Sequence, residues 1–310
     1  MKKSAAAYAY APGEWKTLGL EWCRSLEADN KSPNTVRIYL HALRLLGEWA
    51  YDQADDEFEP TTITTSALRD YMVDLLGRTS PGNAHNNFRC LRTFFGWLVN
   101  EEEIERSPMD RMKAPQLEEK PIPIVTLDMM SALLDACKGN DFENRRDTAI
   151  LRVLFDCGAR KGEVTALTLD DIDLELGVIY VRGKGRRDRV IPLSPKTIQS
   201  LSRYIRSRAK QRQAALPGLW LGLTGQGILT GAGIKAMLIR RSAQAGVGHI
   251  HPHMFRHQLA HHWQLAGGNE TDLMRIMGWK SREMLERYGA SAAIERAHAT
   301  ARSLKLGDRV

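Results

Sequence analysis

Apolar side chains recur every three or four positions through most of the first hundred residues, the spacing that lines one face of a helix. Ser32-Pro33-Asn34-Thr35 supplies a cap and a proline for the first helical position, and Val36, Tyr39, Leu40, Leu43, Leu46 and Ala50 follow in register. Acidic residues from Asp55, Asp56 and Glu57 to Pro60 interrupt the run as a loop. A short helix is predicted from about Ser66 to Leu76, ending at Gly77, and another starts near Pro81. That helix carries Phe88, Leu91, Phe94, Phe95 and Leu98 on its inner face, with His85, Asn86, Arg89, Arg92 and Thr93 toward the other. Past Asn100 the chain turns acidic at Glu101, Glu102 and Glu103.

Between Pro108 and Pro123 the periodicity stops; Pro115 and Pro121 with alternating charge read as a hinge. Helices are then predicted over Leu127–Cys137, Arg145–Cys157 and Ser194–Lys210. Val178–Arg182 and Arg189–Pro192 flank Gly183-Lys184-Gly185, the mark of a β-hairpin with a basic, glycine-rich tip. From Gly231 onward the pattern is helical again, including Phe255–Leu265, Glu270–Met277 and Ala292–Leu304. No internal repeat emerges. The class is mainly α with a small β-hairpin, in two domains.

Composition sharpens this picture in three respects. The 310 residues suit two domains, and 43% hydrophobic with 26% charged residues excludes a disordered chain or a collagen-like fibre. Lys plus Arg is 44 against 37 for Asp plus Glu, a formal +7 that attracts polyanions such as nucleic acid. No apolar run approaches the roughly 20 residues of a spanning helix, and the start, Met1-Lys2-Lys3 through Ala7-Tyr8-Ala9, reads as an exposed arm rather than a signal peptide. Cys23, Cys90, Cys137 and Cys157 lack CxxC spacing and are expected to be reduced, partly buried thiols of a cytoplasmic protein.

The candidate chemistry is basic. Lys184 at its hairpin tip, among Arg182, Arg186, Arg187 and Arg189, is either a solvated turn or a phosphate contact; no Walker loop is present. His251, His253, His257, His261 and His262 invite a metal, but no HExxH occurs and no acidic or cysteine ligand completes a set, so no metal is expected. His253 and Arg256, three apart at a helix start, could reach one anion. Arg160 in Gly158-Ala159-Arg160-Lys161-Gly162-Glu163 follows a helix and a glycine break. Each feature alone also fits an ordinary surface.

In chain order, however, Gly-x-Arg160-x-x-Glu163, the hairpin Lys184, His253-x-x-Arg256, Met277-Gly278-Trp279 and then Tyr288 resemble the tyrosine recombinases, the phage-integrase family that includes the Xer proteins. The resemblance implies an N-terminal arm (1–11), a helical SAM-like core-binding domain (12–108), a linker (109–123) and a mixed α/β catalytic domain (124–310). Arg160 and Arg256 would clamp the scissile phosphate, and His253 and Trp279 would add contacts. Tyr288 would attack phosphorus to give a 3′-phosphotyrosyl bond, Lys184 would protonate the leaving 5′-oxygen, and Glu163 would support the site. A phenol is neutral near pH 7, so it needs a cationic site or a base, for which His253 is the candidate. Trp279 stands where most members carry His; its indole N–H donates but shuttles no proton. Neither cofactor nor ATP is implied.

The implied partner is double-stranded DNA with inverted-repeat core sites, enclosed by both domains as a clamp. Asn86, Arg89, Arg92, Arg186 and Arg187 are the candidate DNA contacts, and the basic helix with Arg203, Arg206, Arg208, Lys210 and Arg212 could track the backbone. The stretch before Trp15 is too short for the arm-binding domain that some integrases carry. Ile294, Ala297, Ala301 and Leu304 form an apolar stripe expected to dock on a neighbouring protomer in a synaptic tetramer, or in cis on its own domain. The expected location is cytoplasmic, at the nucleoid, with room for accessory proteins. Competing readings are a type IB topoisomerase and a catalytically inactive DNA-binding relative.

Overall fold

A computed structural model describes residues 13–53, 58–117, 123–183, 187–223 and 227–304. The chain forms two compact units, Met1–Glu119 and Lys120–Val310. In the first, α1 (Glu14–Ala28), α2 (Pro33–Asp52), α3 (Thr65–Arg78) and α4 (Pro81–Asn100) surround one core. Ser32 and Ser80 cap α2 and α4 by accepting from the Thr35 and Asn83 amides, each with proline next in line. Trp22 anchors the interior, its ring 5.5 Å from Tyr39 and 5.0 Å from Phe94.

Two expectations need correction in this unit. Gly77 does not end α3; the helix runs through it to Arg78, and Pro81 sets the boundary by holding Ser80 extended. The segment after 108 is not yet a free linker. Met109 and Met112 are buried in this core, and Arg92 Nη2 donates to both of their carbonyls at 3.4 and 3.0 Å. Arg92 also lies over the Phe88 ring, and His85 Nδ1 meets the Pro115 carbonyl at 2.8 Å. Arg92 therefore fastens the exit of the chain to α4.

The second unit is built on α6 (Phe142–Cys157), preceded by α5 (Leu127–Asp135). Ala149, Ile150, Leu151, Val153, Leu154 and Cys157 on α6 are all inaccessible to solvent. After α7 (Lys161–Ala166), the strands β1 (Ile172–Asp173), β2 (Val178–Gly183) and β3 (Arg187–Pro192) form an antiparallel sheet in chain order. Its register pairs Tyr180 with Val190 and Gly183 with Arg187. Next come α8 (Pro195–Arg208), α9 (Gly231–Ala245), α10 (Pro252–Leu265), α11 (Glu270–Met277) and α12 (Arg282–Leu304).

Buried charge ties these helices together. Asp147, fully buried on α6, accepts from Arg146 and from Arg240 and Arg241 of α9. Arg208 is not available to track DNA: it is 2% exposed and donates to the carbonyls of Ala214, Leu216, Gly218 and Leu219. The last helix differs most from expectation, for it starts at Arg282 instead of Ala292 and so contains Tyr288. All four cysteines are buried free thiols, and no described helix is long and apolar enough to cross a membrane.

Candidate active site

The site begins where α6 stops. Gly158 takes the left-handed conformation at φ 52°, and a Cβ there would lie 2.9 Å from Leu259 Cδ2, so the turn requires glycine. Two residues later Arg160 caps α7 with its guanidinium 44% exposed. Glu163 holds it from within the same helix: Oε2 accepts from the Arg160 amide at 2.7 Å, and Oε1 from Arg160 Nη1 at 2.9 Å.

The same carboxylate is gripped from β3 by Arg189, whose Nη1 and Nη2 donate at 3.1 and 2.7 Å. Arg189 Nε donates to the Ile276 carbonyl at 2.8 Å. One guanidinium thus joins α7, the hairpin strand and the end of α11. Burial alone would raise the Glu163 carboxyl; the bonds from Arg189 and Arg160 outweigh it and bring its pKa down to about 2.

Two cationic and aromatic elements complete the cluster. Pro252 starts α10 and places His253, Arg256 and His257 in its first two turns. Arg256 is 1% exposed; its Nη1 donates to the Gly158 carbonyl and its Nη2 to the Met277 carbonyl. Burial first, then the charge of Arg160, lowers its pKa, which places the two arginines in one electrostatic field. Two of its five N–H groups are committed, and buried Nε has no hydrogen-bond partner among the described residues. Gly278, left-handed at φ 64°, ends α11 and presents Trp279, whose buried Nε1 likewise lacks a partner there.

Tyr288 on α12 stands among them, 9% exposed. Its ring centroid is 4.1 Å from that of His257 at an interplanar angle of 17°, 4.9 Å from Trp279 and 6.4 Å from His253. The Arg256 guanidinium carbon is 5.7 Å from the same centroid and 5.4 Å from the Trp279 ring. Arg160, Glu163, His253, Arg256, Trp279 and Tyr288 are therefore gathered in one place. Lys184 and Arg186 lie outside the described residues, as does the side chain of Arg187.

Asn86 and Arg89 are exposed on α4 in the other unit, and Arg92 has the internal contacts already described. Among the described residues no three His, Cys, Asp or Glu side chains are grouped so that they could hold a metal ion. His257 and Arg189 are the site neighbours that the sequence motifs passed over. His257 was conspicuous only as one of a run of histidines. Arg189 meets partners 26 and 87 positions away, which no local pattern signals.

The Phage integrase family pattern spans residues 124–295, and the chain belongs to that family. It is similar to the tyrosine recombinase XerC of Chromobacterium violaceum, 27% identical over 267 residues that cover 86% of this chain and 87% of that one. The XerC of Syntrophus aciditrophicus is 26% identical over 294 residues, covering 88% and 94%. Among solved structures, the XerH recombinase bound to its palindromic difH substrate after cleavage superposes with a TM-score of 0.73 at 18% identity, covering 90% and 82%. A lambda integrase dimer bound to a COC′ core site gives 0.69 at 14%, covering 88% and 76%. These last two share the fold.

Proposed function

We propose that this chain is a site-specific DNA recombinase that cuts and rejoins strands through a 3′-phosphotyrosyl intermediate at Tyr288. The observation that carries the reading is the Tyr288 ring beside buried Arg256, with donors at Arg256 Nε and Trp279 Nε1 that have no partner among the described residues. Buried polar hydrogens without partners are rare, and a phosphate oxygen would satisfy them. In the reaction the Tyr288 oxygen bonds to phosphorus and the bond from phosphorus to the 5′-oxygen breaks. The phenolic proton passes to His253, the one imidazole of α10's first turn open to solvent, and Lys184 supplies a proton to the leaving oxygen. Charge gathering on the phosphoryl oxygens is stabilised by Arg160 and Arg256, fixed in advance by Glu163, Gly158 and Met277. Reversal by a 5′-hydroxyl reseals the strand, because the phosphotyrosyl bond preserves the phosphodiester linkage for the next attack.

The reading extends to a cytoplasmic protein that acts on inverted-repeat core sites as a synaptic tetramer, through a Holliday junction, with or without accessory proteins. Asn86, Arg89, Arg92, Arg186 and Arg187 are its candidate DNA contacts. Support for assembly comes from α12, where Ala297, Ala301 and Leu304 are exposed and ready for a neighbour. To test the activity, the protein is incubated with fragmented genomic DNA of its host, and covalent protein–DNA junctions are collected under denaturing conditions. Discrete junctions are expected from the wild type and none from Tyr288→Phe; an adduct from that variant would overturn the assignment.

A further inference from the structure

The nearest ring to Tyr288 is that of His257, which none of the roles above uses. The two planes are within 17° of parallel at 4.1 Å, whereas His253 stands 6.4 Å off, is tilted by 46° and is exposed. His257 is 7% exposed, on the face of α10 that packs against α12. The helices approach so closely that a Cβ at Gly289, next to Tyr288, would meet the buried side chain of Gln264. The backbone bearing the nucleophile is thereby seated on α10, and the remaining freedom of Tyr288 is rotation of its side chain. A flat neighbour stacked at van der Waals distance removes that freedom and aims the oxygen.

We infer that His257 is a positioning residue for the nucleophile, holding the Tyr288 ring in line for attack by face-to-face stacking. The inference rests on the proposed role of Tyr288. Proton transfer is not part of this role, so a flat hydrocarbon ring should substitute for the imidazole. Misplacing a reacting atom by about 1 Å can cost on the order of a hundredfold in rate.

The test uses a nicked duplex carrying one of the junction sequences recovered above, with single-turnover cleavage measured at saturating DNA. His257→Leu, which keeps bulk but not a flat face, is expected to cut roughly thirtyfold more slowly, with DNA affinity unchanged within about twofold. His257→Phe is expected to recover most of that loss. A Phe variant as slow as the Leu variant, or a Leu variant as fast as wild type, would overturn the inference; so would a fall in affinity that matches the fall in rate. If His257→Leu does not fold, proton NMR decides. Replacing Tyr288 with Leu should shift the His257 ring resonances downfield, while Tyr288→Phe leaves them near their wild-type positions, and equal spectra in the two variants would refute the stack. A cleaving Tyr288→Phe protein would instead refute the parent reading, so the two failures are distinguishable.

Discussion

Glu163 is the residue on which Arg160 and Arg189 depend. It binds Arg160 through two bonds and Arg189 through two more, so its loss leaves a buried guanidinium without a counter-charge. With a folded pKa of about 2 against an ordinary 4.5, ionised Glu163 stabilises the fold above pH 4.5, and this contribution fades as pH falls toward 2. Its size is on the order of 3 kcal/mol. Urea unfolding of wild type and Glu163→Gln should therefore differ widely at pH 7, with the gap narrowing below pH 4.5 and closing only toward pH 2. A gap as wide at pH 3 as at pH 7 would detach the pair from this account. Arg160→Ala and Arg256→Ala should each lower the cleavage rate at saturating DNA about a hundredfold or more, with smaller effects on affinity; an unchanged rate would remove the clamp from the mechanism. The six gathered residues were legible because their types recur in a fixed order along the chain. Arg189 and His257 were not, since their importance lies in what folding brings beside them.

At the level of elements, the site depends on places where helices stop. Gly158 turns the chain so that its carbonyl meets Arg256 and Arg160 emerges at the head of α7. Gly158→Ala imposes a side chain on a left-handed backbone and drives it toward Leu259; a loss of about 1–2 kcal/mol in urea unfolding is expected, and no loss would contradict the strained turn. Hydrophobic spacing located most helices to within a few residues, and the strand–glycine–strand pattern located the hairpin. It misjudged α12, because the ten residues from Arg282 look like a loop approach to a motif and include Gly289, a poor helix former. The glycine has a tertiary cause: Gln264 of α10 occupies the space that a side chain would need. Arg208 was misread for a similar reason, since its basic neighbours suggested a surface while four carbonyls from one loop draw it inside.

For the whole molecule, the +7 charge and the family membership place DNA at the centre of the account. DNA affinity should fall steeply with salt, as counterion release by several phosphate contacts requires; a shallow dependence would conflict with it. Removing residues 297–310 should leave DNA binding intact yet abolish tetramers on DNA in sedimentation experiments, and tetramers that persist would exclude the tail as the link. The two-part organisation was visible in the proline-rich break, although folding extends the first core to Met112 through contacts with Arg92 that spacing cannot show. The most direct test of the central claim is mass spectrometry of the covalent complex after nuclease and protease digestion. The account predicts a nucleotide joined through its 3′-phosphate to the peptide containing Tyr288, and a free 5′-hydroxyl on the other DNA end. A nucleotide on any other residue, or a linkage through a 5′-phosphate, would contradict it.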